Sequence, residues 1–217
     1  MDDRSRHPPP WLDAQKKTLG ASERDEPARV AYRERIQQRD ADAFVIVDEC
    51  GSNINLTPRY ARAPRGQRAF GHVPRNTPAN MTVIAALTIA GMGSALVLEG
   101  ATDTAAFEVY VEHVLAPTLV AGQVVVMDNL SAHKSQRTRA LIAAQGCEIW
   151  DLPSYSPDLS PIEEAFAKLK TLLRRAEARS REALEHALAE ALDQITAADA
   201  RGFFKHCGYP IGSQEAQ

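Results

Sequence analysis

The chain has 217 residues, of which 44% are hydrophobic and 24% charged, and its formal net charge is −3. This length and composition are typical of one compact domain with an appendage, and they exclude a chain that needs disulfides or a metal to fold. Its apolar runs are much shorter than the roughly 20 residues of a membrane-spanning helix. No apolar stretch follows Met1, so no signal peptide is expected. The three cysteines match no zinc or redox spacing and favour a reducing cytoplasm.

Residues 1–40 differ in composition from the rest of the chain. Apolar positions are few, and nine basic residues are mixed with eight acidic ones. The pattern predicts a single helix that begins near Ser22 or Pro27 and ends at about Gln38. We interpret residues 1–40 as an N-terminal arm or linker with one helix, in which a complete DNA-recognition domain has no room.

Residues 41–210 have the pattern of an α/β domain, followed by a tail at 211–217. Phe44–Val47 and Val124–Met127 are continuous apolar runs, which predict strands buried on both faces. Further strands are predicted at Ser52–Thr57, Met81–Ile89, Ala95–Leu98 and Cys147–Trp150, with a tight hairpin at 91–93. Helices are predicted at Thr102–Ala116, Ser135–Ala144, Pro161–Ala176 and Arg181–Ile195. Adjacent strands followed by alternating helices and strands favour a mixed sheet covered by helices.

Each of the two most apolar strands is followed by an acid, Asp48 in one case and Asp128 in the other. If these strands are parallel neighbours about 4.8 Å apart, both carboxylates emerge at the edge of the sheet where α/β proteins bind ligands. Carboxylate oxygens suit Mg²⁺ or Mn²⁺. A turn that begins with an acid explains either residue alone, but the pair favours a metal site.

A third carboxylate, Glu163, stands near the start of a predicted helix. The spacing from Ser160 to Glu163 is typical of a capping box, and Pro161 is favoured at the first helical position, so a helix cap alone explains the acid. Its position beside the apolar stripe of the helix also allows Glu163 to reach the sheet edge. Lys170 and Arg174 follow on the same helix face and are placed to hold a phosphate backbone.

Three segments together resemble a known family. They read VIVDE at 45–49, VVMDNLSAH at 125–133 and LPSYSPDLSPIEEAFAKLK at 152–170, with 34 residues between Asp128 and Glu163. The chain resembles the DDE transposases of the mariner superfamily, in particular their bacterial insertion-sequence branch. The resemblance covers roughly Ala43 to Tyr209. The YSPDLSPIE segment and the 34-residue spacing are its most specific features.

The resemblance implies an RNase H-like fold, with a mixed five-stranded sheet flanked by helices. It also implies that Asp48, Asp128 and Glu163 form a catalytic triad that binds two divalent ions, Mg²⁺ or Mn²⁺, for DNA cleavage and strand transfer. Glu164 competes with Glu163 as the third ligand, but the family motif places the acid directly after Pro-Ile. The chain departs from the family pattern at Ser160, where Asn is common, and at Phe166, where Trp is frequent.

Asn129 and His133 follow the second acid, Asp128, in a way that is also typical of the family. His133 is a candidate for contact with a phosphate or with the surroundings of the metal, and a structural loop histidine explains it equally well. The family's N-terminal helix-turn-helix region is missing. We therefore expect DNA as the partner, together with a separate helix-turn-helix chain or a frameshift fusion that supplies it, and a homodimer in the active complex.

Basic residues form two clusters. A charge run is usually a solvated face, but a basic loop after the Asp48 strand is placed to contact a DNA backbone without reading its sequence. The first cluster has no acid between Pro58 and Arg75 and comprises Arg59, Arg62, Arg65, Arg68 and Arg75. The second cluster includes Lys168, Lys170 and Arg174.

Three other functions compete with DNA cleavage and joining. A phospho-acceptor signalling domain also has acids after buried strands, but the distance from Asp48 to Asp128 is too long and the arginines have no place in it. A transposase remnant that only binds DNA is opposed by the intact triad and favoured by the missing recognition region. A plain metal-dependent nuclease without strand transfer is the third alternative.

Overall fold

The computed structural model describes residues 21–76, 78–129, 133 and 135–212. In this part of the chain five strands form, namely β1 (Phe44–Ser52), β2 (Met81–Thr88), β3 (Gly91–Glu99), β4 (Val124–Met127) and β5 (Glu148–Asp151). The helices are α1 (Glu26–Ile36), α2 (Thr104–Tyr110), α3 (Gln136–Ala144), α4 (Pro161–Ala176), α5 (Arg181–Asp193) and α6 (Ala197–His206). Helix α2 continues into a wider π-helical turn at Val111–Leu115. The first half of the predicted arm and most of the predicted tail lie outside the described residues.

The strands form one mixed sheet in the order β3-β2-β1-β4-β5. Strand β1 pairs antiparallel with β2, and β2 pairs antiparallel with β3. The pairings of β1 with β4 and of β4 with β5 are parallel. The expected mixed five-stranded sheet is therefore confirmed, and the carboxyl ends of β1 and β4 lie at the same edge.

Alternate residues of the central strands face two separate cores. Phe44 and Ile46 of β1 belong to the core beneath α4, α5 and α6, whereas Val45 and Val47 belong to the core beneath α2 and α3. This alternation follows from the two-residue period of a strand. Helix α4 covers its side with the buried stripe that the sequence predicts, Ile162, Phe166, Leu169 and Leu173.

Helix α1 packs on the same side as α4. Asp25 caps its first turn by accepting a hydrogen bond from the Ala28 backbone N–H (3.0 Å). Tyr32 and Ile36 are buried in the larger core. The helix expected within residues 1–40 therefore forms, and it packs directly onto the sheet domain.

The structure corrects three local predictions. Ser52 is the last residue of β1, and the described residues between Ser52 and Met81 contain neither helix nor strand. The Asn53 side chain accepts a hydrogen bond from the Asn55 backbone N–H (3.2 Å) and so begins a turn instead of a strand. The apolar residue between them, Ile54, packs into the core from this loop.

The hairpin between β2 and β3 turns at residues 89–90, so the predicted turn at 91–93 was wrong by about two residues. Gly91 already pairs with Thr88, at a φ of +118°. A Cβ there would lie 2.8 Å from the Ile195 carbonyl oxygen, so the glycine lets the hairpin approach the start of α6.

The third correction is an additional helix near the C-terminus. Helix α6 begins at a capping box in which Thr196 and Asp199 satisfy each other's backbone N–H groups. Two helices were predicted after residue 160, and the described residues 161–212 form three. Among the described residues, no helix is long and apolar enough to cross a membrane.

Candidate active site

The three carboxylates singled out in the sequence line one cavity of about 420 Å³. Asp48 comes from β1, Asp128 directly follows β4, and Glu163 lies in the first turn of α4. Ile46 pairs with Val126 across the parallel strands, so two residues further along, Asp48 comes opposite Asp128. Asp48 also continues the β1 face that α4 covers, which explains why an acid in the first turn of α4 meets it.

The environment of Asp48 disfavours its charged form. The pKa of its carboxyl is raised to about 7, mainly by burial and in addition by the negative charges of Asp128 and Glu163. A hydrogen bond from the Glu49 backbone N–H (2.7 Å) acts in the opposite direction. A carboxyl with a pKa this close to neutrality gains from a cation in the cavity, which would favour the ionised form. Perturbed carboxyls of this kind are typical of functional sites.

The geometry distinguishes Glu163 from its neighbour and from a helix cap. Ser160 is the N-terminal cap residue of α4, yet its side chain makes no capping hydrogen bond, so the capping box anticipated there does not form. Glu163 is exposed to the cavity. Glu164 is turned toward α6, where it contacts His206. Of the two adjacent acids, only Glu163 lines the cavity.

His133 connects two carboxylates beneath the cavity. Its side chain is 1% exposed; Nδ1 lies 2.6 Å from Asp128 Oδ1, and Nε2 lies 3.0 Å from Glu49 Oε1. The ring also packs against Phe107, with 4.2 Å between ring centroids. Burial opposes the charged imidazole, but the hydrogen bonds to Asp128 and Glu49 outweigh it and raise the pKa of His133 to about 10. The raised pKa favours the protonated ring, whose Nδ1 contacts Asp128.

Sequence reasoning did not include Glu49. Its side chain points to the opposite face of β1 from Asp48, as expected from the strand period. The signal that could have identified it is an acid at an inward-facing position of a buried strand. Such a carboxylate requires a partner, and His133 is the partner found in the fold.

The cavity wall fits a divalent cation. It offers carboxylate oxygens, the ligands that Mg²⁺ and Mn²⁺ prefer. It also includes Ser160, which is 2% exposed and whose Oγ has no hydrogen-bond partner within the described chain. Among the same residues no three His, Cys, Asp or Glu side chains already form a group that could hold an ion. The three carboxylates share the cavity without converging on one point in this structure.

Asn129 lies in the wall of the cavity, beside Asp128. Its Nδ2 donates a hydrogen bond to the Leu152 carbonyl oxygen (3.2 Å), which ties the end of β4 to the segment after β5. The opposite wall is formed by that segment, residues 152–160, which we call the 152–160 loop. The cavity is thus bounded by two strand ends, one helix start and one loop.

The five arginines between residues 58 and 76 lie on the long connection from β1 to β2, which we call the basic loop (residues 53–80). It leaves the sheet at the edge that carries Asp48. Two aromatic side chains of the loop are almost fully exposed, Tyr60 at 91% and Phe70 at 87%. The five arginines of the loop are exposed, and none of them forms an ion pair with another described residue. They are Arg59, Arg62, Arg65, Arg68 and Arg75.

One residue of the second basic cluster, Lys168, is bound within the fold. Lys168 donates to Asp199 Oδ2 (2.6 Å) and to the Gln194 carbonyl oxygen (2.8 Å), so it joins α4 to the start of α6. Lys170 lies near Cys50, where its charge lowers the pKa of a thiol that burial raises. Arg174 is half-buried in the last turn of α4. The structure thus gives Lys168 a structural partner, in contrast to the arginines of the basic loop.

Comparison with known proteins identifies the family. The sequence model described as the DDE superfamily endonuclease matches residues 43–185, a range that includes all three carboxylates. No curated protein matches the chain.

Solved structures match over most of the chain. The Mos1 transposase paired-end complex with left transposon end has a TM-score of 0.73 at 17% identity, covering 91% of this chain and 64% of that chain. The Mos1 mariner paired-end complex with Mn has a TM-score of 0.66 at 14% identity, covering 91% and 64%. The Mos1 transposase catalytic domain and Raltegravir with Mg has a TM-score of 0.62 at 14% identity, covering 84% and 87%. These matches confirm the RNase H-like fold, and the chain spans less than two thirds of the paired-end complex chains.

Proposed function

Because the chain belongs to the DDE superfamily of endonucleases, we propose that it is the catalytic part of a transposase, which cleaves DNA phosphodiester bonds and joins the ends to new DNA. The observation that carries this proposal is the shared cavity of Asp48, Asp128 and Glu163 on an RNase H-like sheet. All three acids lie within the range matched by the family model. The similar fold of the Mos1 complex with a transposon end supports DNA as the substrate.

Asp48, Asp128 and Glu163 would together hold Mg²⁺ or Mn²⁺, and we propose two ions as the number. When bound, such ions lower the pKa of an attacking water or 3′-hydroxyl and stabilise the leaving oxygen of an in-line displacement. The protein's own contribution is to fix the ligands. Parallel pairing of β1 and β4 sets the distance between the two aspartates, and α4 brings the glutamate to them.

His133 and Glu49 are positioning residues in this proposal. The buried imidazolium pairs with Asp128 on one side and Glu49 on the other, so it fixes the rotation of Asp128 about its side-chain bonds. Outer partners of this kind orient metal ligands and tune their affinity. Asn129 holds the neighbouring backbone at Leu152, so that the cavity wall keeps its shape.

DNA contact is proposed for the basic loop and, on α4, for Lys170 and Arg174. The loop arginines are exposed, and their charges have no internal partner within the described chain. Exposed aromatic side chains such as Tyr60 offer surfaces on which bases or sugars can stack. Lys168 is left out because Asp199 binds it.

Four finer assignments are also proposals. The YSPDLSPIE segment supports the bacterial insertion-sequence branch of the family. A homodimer in the active complex and recognition of the element ends through a helix-turn-helix region, on a separate chain or a frameshift fusion, follow from the same resemblance. A cytoplasmic location is supported by three free, buried cysteines, Cys50, Cys147 and Cys207.

The direct test is metal-dependent nicking of a supercoiled plasmid and joining of a pre-cut 3′-hydroxyl end, compared between wild type and Asp128→Asn. We expect both activities in Mg²⁺ or Mn²⁺, and the loss of both in the variant with its circular dichroism spectrum unchanged. Nicking without joining would identify a plain nuclease. DNA binding without either activity in the wild type would identify an inactive remnant and overturn the proposal.

A further inference from the structure

Helix α1 lies outside the residues matched by the family model, yet it is bonded to the wall of the cavity. Its partner is Asp158, which sits in a short 3₁₀ turn of the 152–160 loop, Pro157–Leu159. Arg29 of α1 donates from Nη1 to Asp158 Oδ1 (3.0 Å) and from Nη2 to Asp158 Oδ2 (2.7 Å). The contact is thus a two-pronged arginine–carboxylate pair.

The burial of Arg29 shows that this pair is more than a surface contact. The Arg29 side chain is 3% exposed and that of Asp158 is 46% exposed, so the pair is buried on the arginine side, whereas most surface ion pairs are solvated on both sides and contribute little. A buried guanidinium must be paired, and the bidentate geometry fixes both the distance and the orientation of its carboxylate. The hydrogen bond from Arg29 also lowers the pKa of Asp158, so the pair is charged at neutral pH.

Further contacts fasten the same loop. Arg24 donates to the Tyr155 carbonyl oxygen (3.2 Å) and to Asp158 (3.1 Å). The Tyr32 hydroxyl lies 2.9 Å from that of Tyr209, which donates to the Leu159 carbonyl oxygen (3.2 Å). The loop is therefore held at residues 155, 158 and 159. Arg24 and Arg29 bind it directly, and Tyr32 acts only through Tyr209.

The fastened loop leads directly to the third carboxylate. Leu159 is followed by Ser160 and Pro161, and Glu163 lies in the first turn of α4. Residues 152–157, Ser160 and Glu163 form the cavity wall that faces Asp48 and Asp128. A shift of the 3₁₀ turn would therefore carry the start of α4 away from the strand ends.

We propose that α1 is a clamp on the active site, in which Arg29 acts as a positioning residue by fixing the 152–160 loop and, through it, Glu163. The inference rests on the proposed function, since it treats Glu163 as a metal ligand. It assigns a task to a segment that the family model does not include. Removing Arg29 should leave the sheet intact, loosen the loop and weaken metal binding.

The experiment compares Arg29→Gln with Arg39→Gln in the full chain. Arg39 follows α1 and binds Glu148 of β5, so its loss also frees this segment but leaves the 152–160 loop untouched. We measure amide hydrogen exchange of residues 152–160, Mn²⁺ affinity by electron paramagnetic resonance, and the melting temperature. For Arg29→Gln we expect faster exchange in the loop and a Mn²⁺ affinity about tenfold lower, by analogy with other outer partners of metal ligands. Arg39→Gln should change neither.

Equal effects of the two substitutions, or none from Arg29→Gln, would overturn the clamp. If Arg29→Gln does not fold, Arg24→Gln carries the test, because Arg24 is more exposed and binds the same loop; faster loop exchange with about threefold weaker Mn²⁺ binding is then expected, and unchanged exchange contradicts the clamp. Failure of the proposed function gives a different result. In that case wild type and Asp128→Asn bind Mn²⁺ equally weakly, whatever happens to loop exchange.

Discussion

Two charged regions lie at one end of the same sheet: the acidic edge, formed by Asp48, Asp128 and Glu163, and the basic loop. They differ in how firmly the fold fixes their side chains. Asp48 lies in a strand paired on both sides, and Glu163 lies in the first turn of a helix whose apolar stripe is buried. The arginines of the basic loop lie on a connection that has neither helix nor strand in its described residues. A carboxylate held in place by strand pairing or helix packing belongs to one metal-binding geometry, so its substitution should abolish nearly all activity. Charges on a loop should act as separate, additive contacts.

The sharpest test of this comparison uses two adjacent glutamates. Glu163→Gln should lower the rate of metal-dependent nicking by roughly 10³-fold, because it removes a carboxylate ligand of the ions that stabilise the reacting phosphate. Glu164→Gln is the matched control, since Glu164 contacts His206 instead of the cavity. Nicking rates are measured at saturating metal. If Glu164→Gln is the more damaging substitution, the third ligand has been assigned to the wrong residue.

A second test measures how far the acidic edge lowers the free energy of unfolding when no metal is bound. The folded pKa of Asp48 is about 7 against an ordinary 3.8, so between these values the folded state binds more protons than the unfolded state. The free energy of unfolding should therefore fall as pH rises from about 4 to about 7. Asp48→Asn removes this penalty, so without metal the variant should be more stable than wild type at pH 8, by about 2–4 kcal/mol.

Urea denaturation with a metal chelator at pH 4 and pH 8 measures this difference. Near pH 4 the difference should shrink to well below about 1 kcal/mol, because the folded Asp48 is then protonated and the unfolded one, with an ordinary pKa of 3.8, is only partly ionised. Addition of Mg²⁺ should stabilise the wild type and leave Asp48→Asn unchanged. A stability difference that does not depend on pH would mean that the pKa of Asp48 is not raised in the folded state.

A third test concerns His133, which contacts Asp128 from beneath the cavity. His133→Gln should lower Mn²⁺ affinity about tenfold, because Asp128 loses the imidazolium that orients it. The matched control is His206→Gln, which removes another histidine–glutamate contact away from the cavity. Calorimetric titration with Mn²⁺ gives both affinities. If the two variants bind Mn²⁺ with equal affinity, His133 does not orient Asp128 and serves only to pack against Phe107.

The same contrast explains how much could be predicted from the sequence. Strand runs and the α4 stripe depend on local patterns, and the structure confirms where they lie. Asp128 follows β4 as predicted, whereas Asp48 lies within β1 instead of after it, because the strand continues to Ser52. Glu49 was missed because its role depends on a histidine 84 residues away that only the fold brings near. The clamp on the 152–160 loop was missed for the same reason, since Arg29 and Asp158 are 129 residues apart. Lys168 looked like a DNA contact because its partner, Asp199, lies in a helix that the sequence did not predict.

The smallest expected effect is that of the basic loop, and it is best measured as a slope. Duplex DNA binding weakens by about 0.9 log units per log unit of salt for each phosphate contact, because each contact releases counterions. Replacing Arg62 and Arg65 with Ala should therefore lower the slope by about 1.8 if both hold phosphates, with little effect on metal affinity. Lys168→Ala is the control, since Asp199 already binds that lysine and its loss should leave the slope unchanged. Fluorescence anisotropy with a random duplex over a salt series gives the slopes. If the arginine pair leaves the slope unchanged while Lys168→Ala lowers it, the two basic clusters have exchanged roles, and DNA lies along α4 instead of the basic loop.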